Sequence, residues 1–358
     1  MLVRFNHFLL NVSVPKFILI VLSMVIIKTG PIPIGKEWVE WLFSASNGFP
    51  VATSYLSYSL LPVFLAKVVG INSYLMWIFL HLVILFFWIY LVVKKLDTKF
   101  QNHGRILAML FLLSPAVTIS ITMIGHYDVL SLIGGSMVWL SSSYKYVFMG
   151  AVIASGANPN MALAVGICLL LLSWGTRFKF YFYSGVVWVF TSISFLIFTN
   201  IFYKEPISGT RESIVISQFG MVFRGVAGEI MFVVLSVLGV LIFPLGWILG
   251  KKHFSFGTVT NSRLLSIYLG SCVIPVVMAI LILDHTRIGV VVSTVPIMLL
   301  LISEGPRLTE FISTKVKAEV PLLSFILLLW FAIPPVIVDS GGVFRLPYAK
   351  LLSYFFGW

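Results

Sequence analysis

The chain has 358 residues, of which 59% are hydrophobic, 15% aromatic and only 10% charged, and its mean hydropathy is +1.06. Soluble domains carry about 25% charged and about 45–50% apolar residues. The composition therefore excludes a water-soluble enzyme, a disordered chain and a nucleic-acid-binding module, and it leaves an all-α, polytopic integral membrane protein. The formal charge of +12, from 24 Lys+Arg against 12 Asp+Glu, then speaks of loop placement rather than of a polyanionic partner.

In chain order, apolar segments that could each form a transmembrane helix run over 17–27, 71–93, 106–124, 129–142, 145–158, 160–174, 181–201, 229–249, 264–283, 288–303 and 320–338, about 11 in all. A full crossing takes about 20 residues, so the shorter segments imply tilted or interrupted helices. Arg4 and Lys16 before the run Phe17–Ile27 resemble a secretory signal, but Pro31 and Pro33 stand where small residues would prepare cleavage. The segment reads as a retained first helix. The pair 145–158 and 160–174 is broken at Ser155-Gly156-Ala157-Asn158-Pro159-Asn160 and fits either two short spans or a re-entrant hairpin. Cys168 and Cys272 lie inside apolar runs and read as small buried hydrophobes.

Basic residues settle the orientation. With the N-terminus in the cytoplasm, the inside segments hold Arg4, Lys16, Lys94, Lys95, Lys99, Arg105, Lys145, Arg177, Lys179, Lys251, Lys252, Arg263, Arg307, Lys315 and Lys317. The reverse orientation puts every dense basic cluster on the wrong side. Most of the acids fall outside: Glu37, Glu40, Asp128, Glu205, Glu212, Glu229, Asp284 and Asp339. Residues 51–69 are apolar, but Pro50 and Pro62 and the serines 54, 57 and 59 interrupt them. Residues 28–70 therefore read as one long first external loop with interfacial helices. A second external loop covers 202–228, and the whole of 1–358 forms a single membrane domain.

Ionisable residues at or in membrane helices are costly unless paired or functional, and four such features fall on the external side. Glu37 and Glu40 lie three residues apart on one helical face between Trp38 and Trp41. They fit an interfacial helix, or a carboxylate held near the membrane as a general base. Gly125-His126-Tyr127-Asp128 is a turn between two apolar segments, where Asp128 either caps the next helix or works with His126 and Tyr127. Asp284-His285-Thr286-Arg287 admits a local Asp284–Arg287 pair, or an arginine fork for a phosphate. Loop 202–228 carries mixed charge, with Arg224 nearest the following helix. His81 reads as a packing residue inside its span.

At these residues the chain resembles the GT-C superfamily of polytopic glycosyltransferases. The resemblance rests on Glu37-Trp38-x-x-Trp41-Leu42, then Phe49-Pro50, then Tyr58-Ser59-Leu60-Leu61-Pro62, and on the Gly-His-Tyr-Asp turn at 125–128. It covers about the first 140 residues. The usual first-loop acid is Asp, where this chain has Glu37 and Glu40, and the paired prolines of the Tyr-Pro-Pro entry are absent.

The resemblance implies inverting transfer of a sugar from a polyprenyl-phosphate donor to a glycan or lipid-linked glycan acceptor, in cell-surface glycan assembly. Glu37 or Glu40 would be the base. Asp128, His126 and Tyr127 would orient substrates, and Arg224, Asp284, His285 and Arg287 would bind them. It also implies a bacterial inner membrane with the active site on the periplasmic face. Members of the superfamily differ in using a divalent metal, Mg or Mn, so either case stays open. An O-antigen or capsule polymerase suits the size and charge distribution nearly as well. A lipid-linked glycan flippase or transporter is the rival from another class. It would show inverted repeats and ionisable or helix-breaking residues at mid-membrane, whereas nearly all charges here lie at the ends of spans.

Overall fold

The structure is a computed structural model and describes residues 2–33, 36–48, 59–100, 103–202, 230–250, 253–254, 257–281, 285–315, 322–339, 342–348 and 350. The fold is nearly all helical, as the composition requires. Seven helices are long and apolar enough to cross a membrane: Tyr74–Lys99, Gly104–Thr122, Pro159–Thr176, Lys179–Thr199, Ile230–Leu249, Asn261–Ile280 and Thr286–Leu308. Each matches a segment expected from the sequence.

The other four expected spans are shorter helices. Val14–Thr29 has 16 residues, Asp128–Leu140 has 13, Tyr144–Ala157 has 14 and Leu322–Ala332 has 11. The last departs most from expectation. Apolar residues continue to 338, but Pro334-Pro335 ends the helix, and Val336–Asp339 turns into a hairpin with Gly342–Arg345. Proline lacks the donor a helix needs and clashes with the preceding turn, so hydropathy alone overestimated this segment.

Helices Lys36–Gly48 and Leu60–Val69 lie within the first long loop. The second has ten residues, about 15 Å, which is half of an apolar layer. Asn158 divides Tyr144–Ala157 from Pro159–Thr176: its side chain accepts from Met161 N at 3.2 Å, and Pro159 opens the next helix. A single capping residue thus separates the two segments, and it is buried.

Long-range contacts sort the turns into two ends. At one, Ile32–Pro33 pairs in parallel with Met123–Ile124, Thr286 meets Val338, and Gly156 packs on Leu61. At the other, Lys99 donates to the Leu140 carbonyl at 3.3 Å, Tyr268 donates to the Leu249 carbonyl at 2.9 Å, and Gly305 packs on His103. These two sets coincide with the outside and inside sets that the Lys and Arg count separates.

Helix Asp128–Leu140 is clamped from three directions. Gly134 and Gly150 face each other so closely that a Cβ on either would strike the other's carbonyl oxygen. A Cβ on Gly135 would meet Val295 at 2.6 Å. On the third side Trp88 Nε1 donates to Ser136 Oγ at 3.2 Å. Small residues that let helix backbones approach are the usual means of packing inside lipid, where burial of apolar surface drives little. The clamp fixes the height and rotation of the helix, and with them the position of its first residue.

Candidate functional site

That first residue is Asp128, which is 6% exposed. It does not act as a side-chain cap for its helix. Its Oδ2 instead accepts from Arg287 Nε at 2.7 Å and lies 3.1 Å from His126 Nδ1. Arg287 is 7% exposed and stands in the first turn of helix His285–Lys315. The contact crosses 159 residues of sequence. A buried ion pair of this kind needs good geometry to offset desolvation, and a short charge-assisted bond supplies it.

The turn that presents Asp128 is built by local chemistry. Gly125 takes φ +99°, a conformation that side chains with a Cβ rarely adopt. Its carbonyl accepts from Trp77 Nε1 at 2.7 Å, and His126 N donates to the Met123 carbonyl at 3.1 Å. The Tyr127 ring lies against the His126 ring, with centroids 4.5 Å apart. Four residues after Trp77, and so on the same helical face, stands His81. It is 4% exposed and within electrostatic range of both His126 and Asp128.

Two buried atoms of this cluster, Asp128 Oδ1 and His81 Nε2, have no hydrogen-bond partner among the described residues. A buried polar atom left so is rare and marks a functional position more often than ordinary packing does. The carboxylate thus has one oxygen held by its neighbours and one that is buried without a partner among the described residues.

The floor beside Arg287 is equally ordered. Thr286 Oγ1 donates to Ser236 Oγ at 2.8 Å and accepts from Val338 N at 2.8 Å. This one hydroxyl joins helices Ile230–Leu238 and His285–Lys315 to the hairpin 336–345. Thr286→Val keeps the shape but takes the acceptor from Val338 N, while Ser236 Oγ still donates to the Val233 carbonyl. It is expected to lower stability by about 1–3 kcal/mol, read as an earlier thermal unfolding transition in detergent; an unchanged transition would show that the hairpin is not anchored here.

The sequence-derived candidates divide clearly. Asp128, His126, Tyr127 and Arg287 come together and are buried. Glu37 and Glu40 are exposed on helix Lys36–Gly48, and Glu40 pairs with Lys36 at 3.5 Å. The Ile32–Met123 bridge nevertheless ties the entry of that helix to the Asp128 turn. Arg224 and Asp284 lie outside the described residues, and His285 is described by its backbone alone. The expected choice for Arg287, between a local Asp284 partner and a phosphate, has a third answer: its Nε is taken by Asp128.

Sequence reasoning took His81 for a packing residue and did not single out Trp77. The signal for His81 was its presence as a lone ionisable residue inside an apolar run. Among the described residues, no three His, Cys, Asp or Glu side chains come together as a metal would require. Asp128 already faces a guanidinium, so the described donors do not fit a divalent ion.

Seven apolar helices around a buried Asp–Arg–His cluster define a polytopic membrane protein with a charged site at one end of its bundle. Comparison of the chain with family models, curated proteins and solved structures gives no match.

Proposed function

We propose that the protein is an inverting membrane glycosyltransferase that moves a sugar from a polyprenyl-phosphate donor to a hydroxyl of a glycan or lipid-linked glycan acceptor. The observation that carries this reading is the buried Asp128–Arg287–His126 cluster, in which Asp128 Oδ1 has no hydrogen-bond partner among the described residues. Such a carboxylate can accept the hydrogen bond of an acceptor hydroxyl and take its proton as the oxygen attacks the anomeric carbon. The anomeric carbon–oxygen bond breaks with its electron pair going to the phosphate. A phosphate leaves as a stable anion, so a weakly basic carboxylate is sufficient.

In this reading Asp128 takes the place that the resemblance gave to Glu37 or Glu40, because it is buried within the cluster and they are exposed. Arg287 and His126 hold the carboxylate in one rotamer, and His81 lines its deeper side. The Lys and Arg distribution supports an N-terminus in the cytoplasm and this site at the external face, and a compact chain without large loops suits a bacterial inner membrane. A polymerase joining lipid-linked glycans would use the same step on a larger transferred group.

The test is transfer by purified protein in detergent or nanodiscs, from radiolabelled polyprenyl-phosphate hexoses to a lipid-linked glycan extract. Wild type is expected to give a labelled, chain-extended product with release of polyprenyl phosphate. Release of neither, across the common hexose donors and with lipid-diphosphate glycans as donors, would remove both transfer readings.

A further inference from the structure

Lys28 is the last but one residue of helix Val14–Thr29, and it is only 2% exposed. Its ammonium donates to the main-chain carbonyl of Trp330 and stands 4.0 Å from the centroid of the Trp330 ring. The rings of Phe331 and Tyr348 lie at 5.8 and 5.6 Å. Aromatic faces and the C-terminal carbonyls of helix Leu322–Ala332 stabilise a cation here. They account for one of its three N–H donors.

The rest of its surroundings has a different character. Lys28 lines a small cleft of about 50 Å³, together with Thr29, Thr118, Thr122, Ser236 and Thr286 among others. It is the one charged residue among the described lining residues, which include no carboxylate. Among the described residues of the cleft Lys28 has no opposite charge, the counter-ion that buried charges ordinarily have. The Asp128–Arg287 pair, a balanced one, is adjacent: Thr286 lines the cleft and Arg287 is the next residue.

We infer that the Lys28 cleft is an anion subsite that takes a phosphoryl group, with the remaining Lys28 N–H donors directed to it and the aromatic and proline surface receiving the attached lipid. It deepens the proposed transfer reaction by giving the donor phosphate a place next to Asp128, and rests on that reading for the identity of the anion. The cation itself, its burial and the cleft stand without it.

Farnesyl phosphate, farnesol and inorganic phosphate serve as probes for binding to purified protein in nanodiscs, by microscale thermophoresis. Wild type is expected to bind farnesyl phosphate at least tenfold more tightly than farnesol. Lys28→Met is expected to bring that ratio within twofold, while Lys28→Arg keeps most of it. Competition by inorganic phosphate at comparable concentration would identify free phosphate as the ligand; its failure to compete would identify the lipid-linked form. Either result supports the site.

A Lys28→Met ratio equal to that of wild type overturns it. Should that variant not fold, acylation of Lys28 in wild type, followed by peptide mass spectrometry, decides instead. Farnesyl phosphate and not farnesol is expected to slow the labelling at least fivefold, and equal labelling overturns the site. Binding with no sugar transfer would leave the subsite standing and remove the transferase; transfer with an unchanged Lys28→Met ratio would do the reverse.

Discussion

Asp128→Ala is expected to destabilise the protein by about 3–5 kcal/mol, and adding Arg287→Met to it should recover much of that loss. Removing the carboxylate alone leaves a guanidinium buried at 7% exposure without its charge partner. Removing both takes away the uncompensated charge and leaves apolar side chains that suit the surroundings. The pair should therefore be strongly non-additive, with a coupling of about 1.5–3 kcal/mol in a double-mutant cycle. Thermal or chemical unfolding in detergent, monitored by tryptophan fluorescence, reads all four proteins. Simple additivity would mean that the 2.7 Å contact does not hold the helices together.

Asp128→Asn separates this structural role from the chemical one. An amide keeps the shape and an acceptor oxygen, so folding suffers less than in Asp128→Ala. It cannot take up a proton. On the proposed mechanism the rate of sugar transfer should fall by about 10²–10⁴-fold, with donor binding changed little because the phosphate is bound elsewhere. Glu37→Gln and Glu40→Gln should each retain activity within about threefold, below the range expected of a lost general base. Full activity in Asp128→Asn with loss in Glu37→Gln would return the base to the first loop.

The sorting of turns into two ends was legible in the sequence because it follows from charge, and lipid enforces charge placement strictly. The Gly-His-Tyr-Asp turn and Arg287 stood out for the same reason. Their union did not. Asp284 lies three residues before Arg287, and local spacing offers that partner first. Asp128, which also holds it, is 159 residues away, and only packing of helix Asp128–Leu140 against the helix of Arg287 reveals that contact. The close approach at Gly135 and Val295 is the side of the clamp that brings those two helices together.

Lys28 and His81 were hidden differently. Each sits alone in an apolar stretch, and a single sequence shows neither the aromatic cage around the one nor the Asp128 turn beside the other. Hydropathy also overran the last helix, because the window averaged through Pro334-Pro335 into a strand that is equally apolar.

The 159 residues between Asp128 and Arg287 have a consequence for biosynthesis. At a synthesis rate of about 5–20 residues per second, the arginine emerges roughly 8–32 s after the aspartate. Throughout that interval the nascent chain carries an acidic residue at the mouth of an apolar helix with its eventual cation still unmade. Helix Asp128–Leu140 must wait near the interface, or against the insertion machinery, before it can settle at its final depth. The ion pair thus acts as a late latch on assembly: a chain stalled before Arg287 exposes an unsatisfied carboxylate that membrane quality-control proteases can recognise.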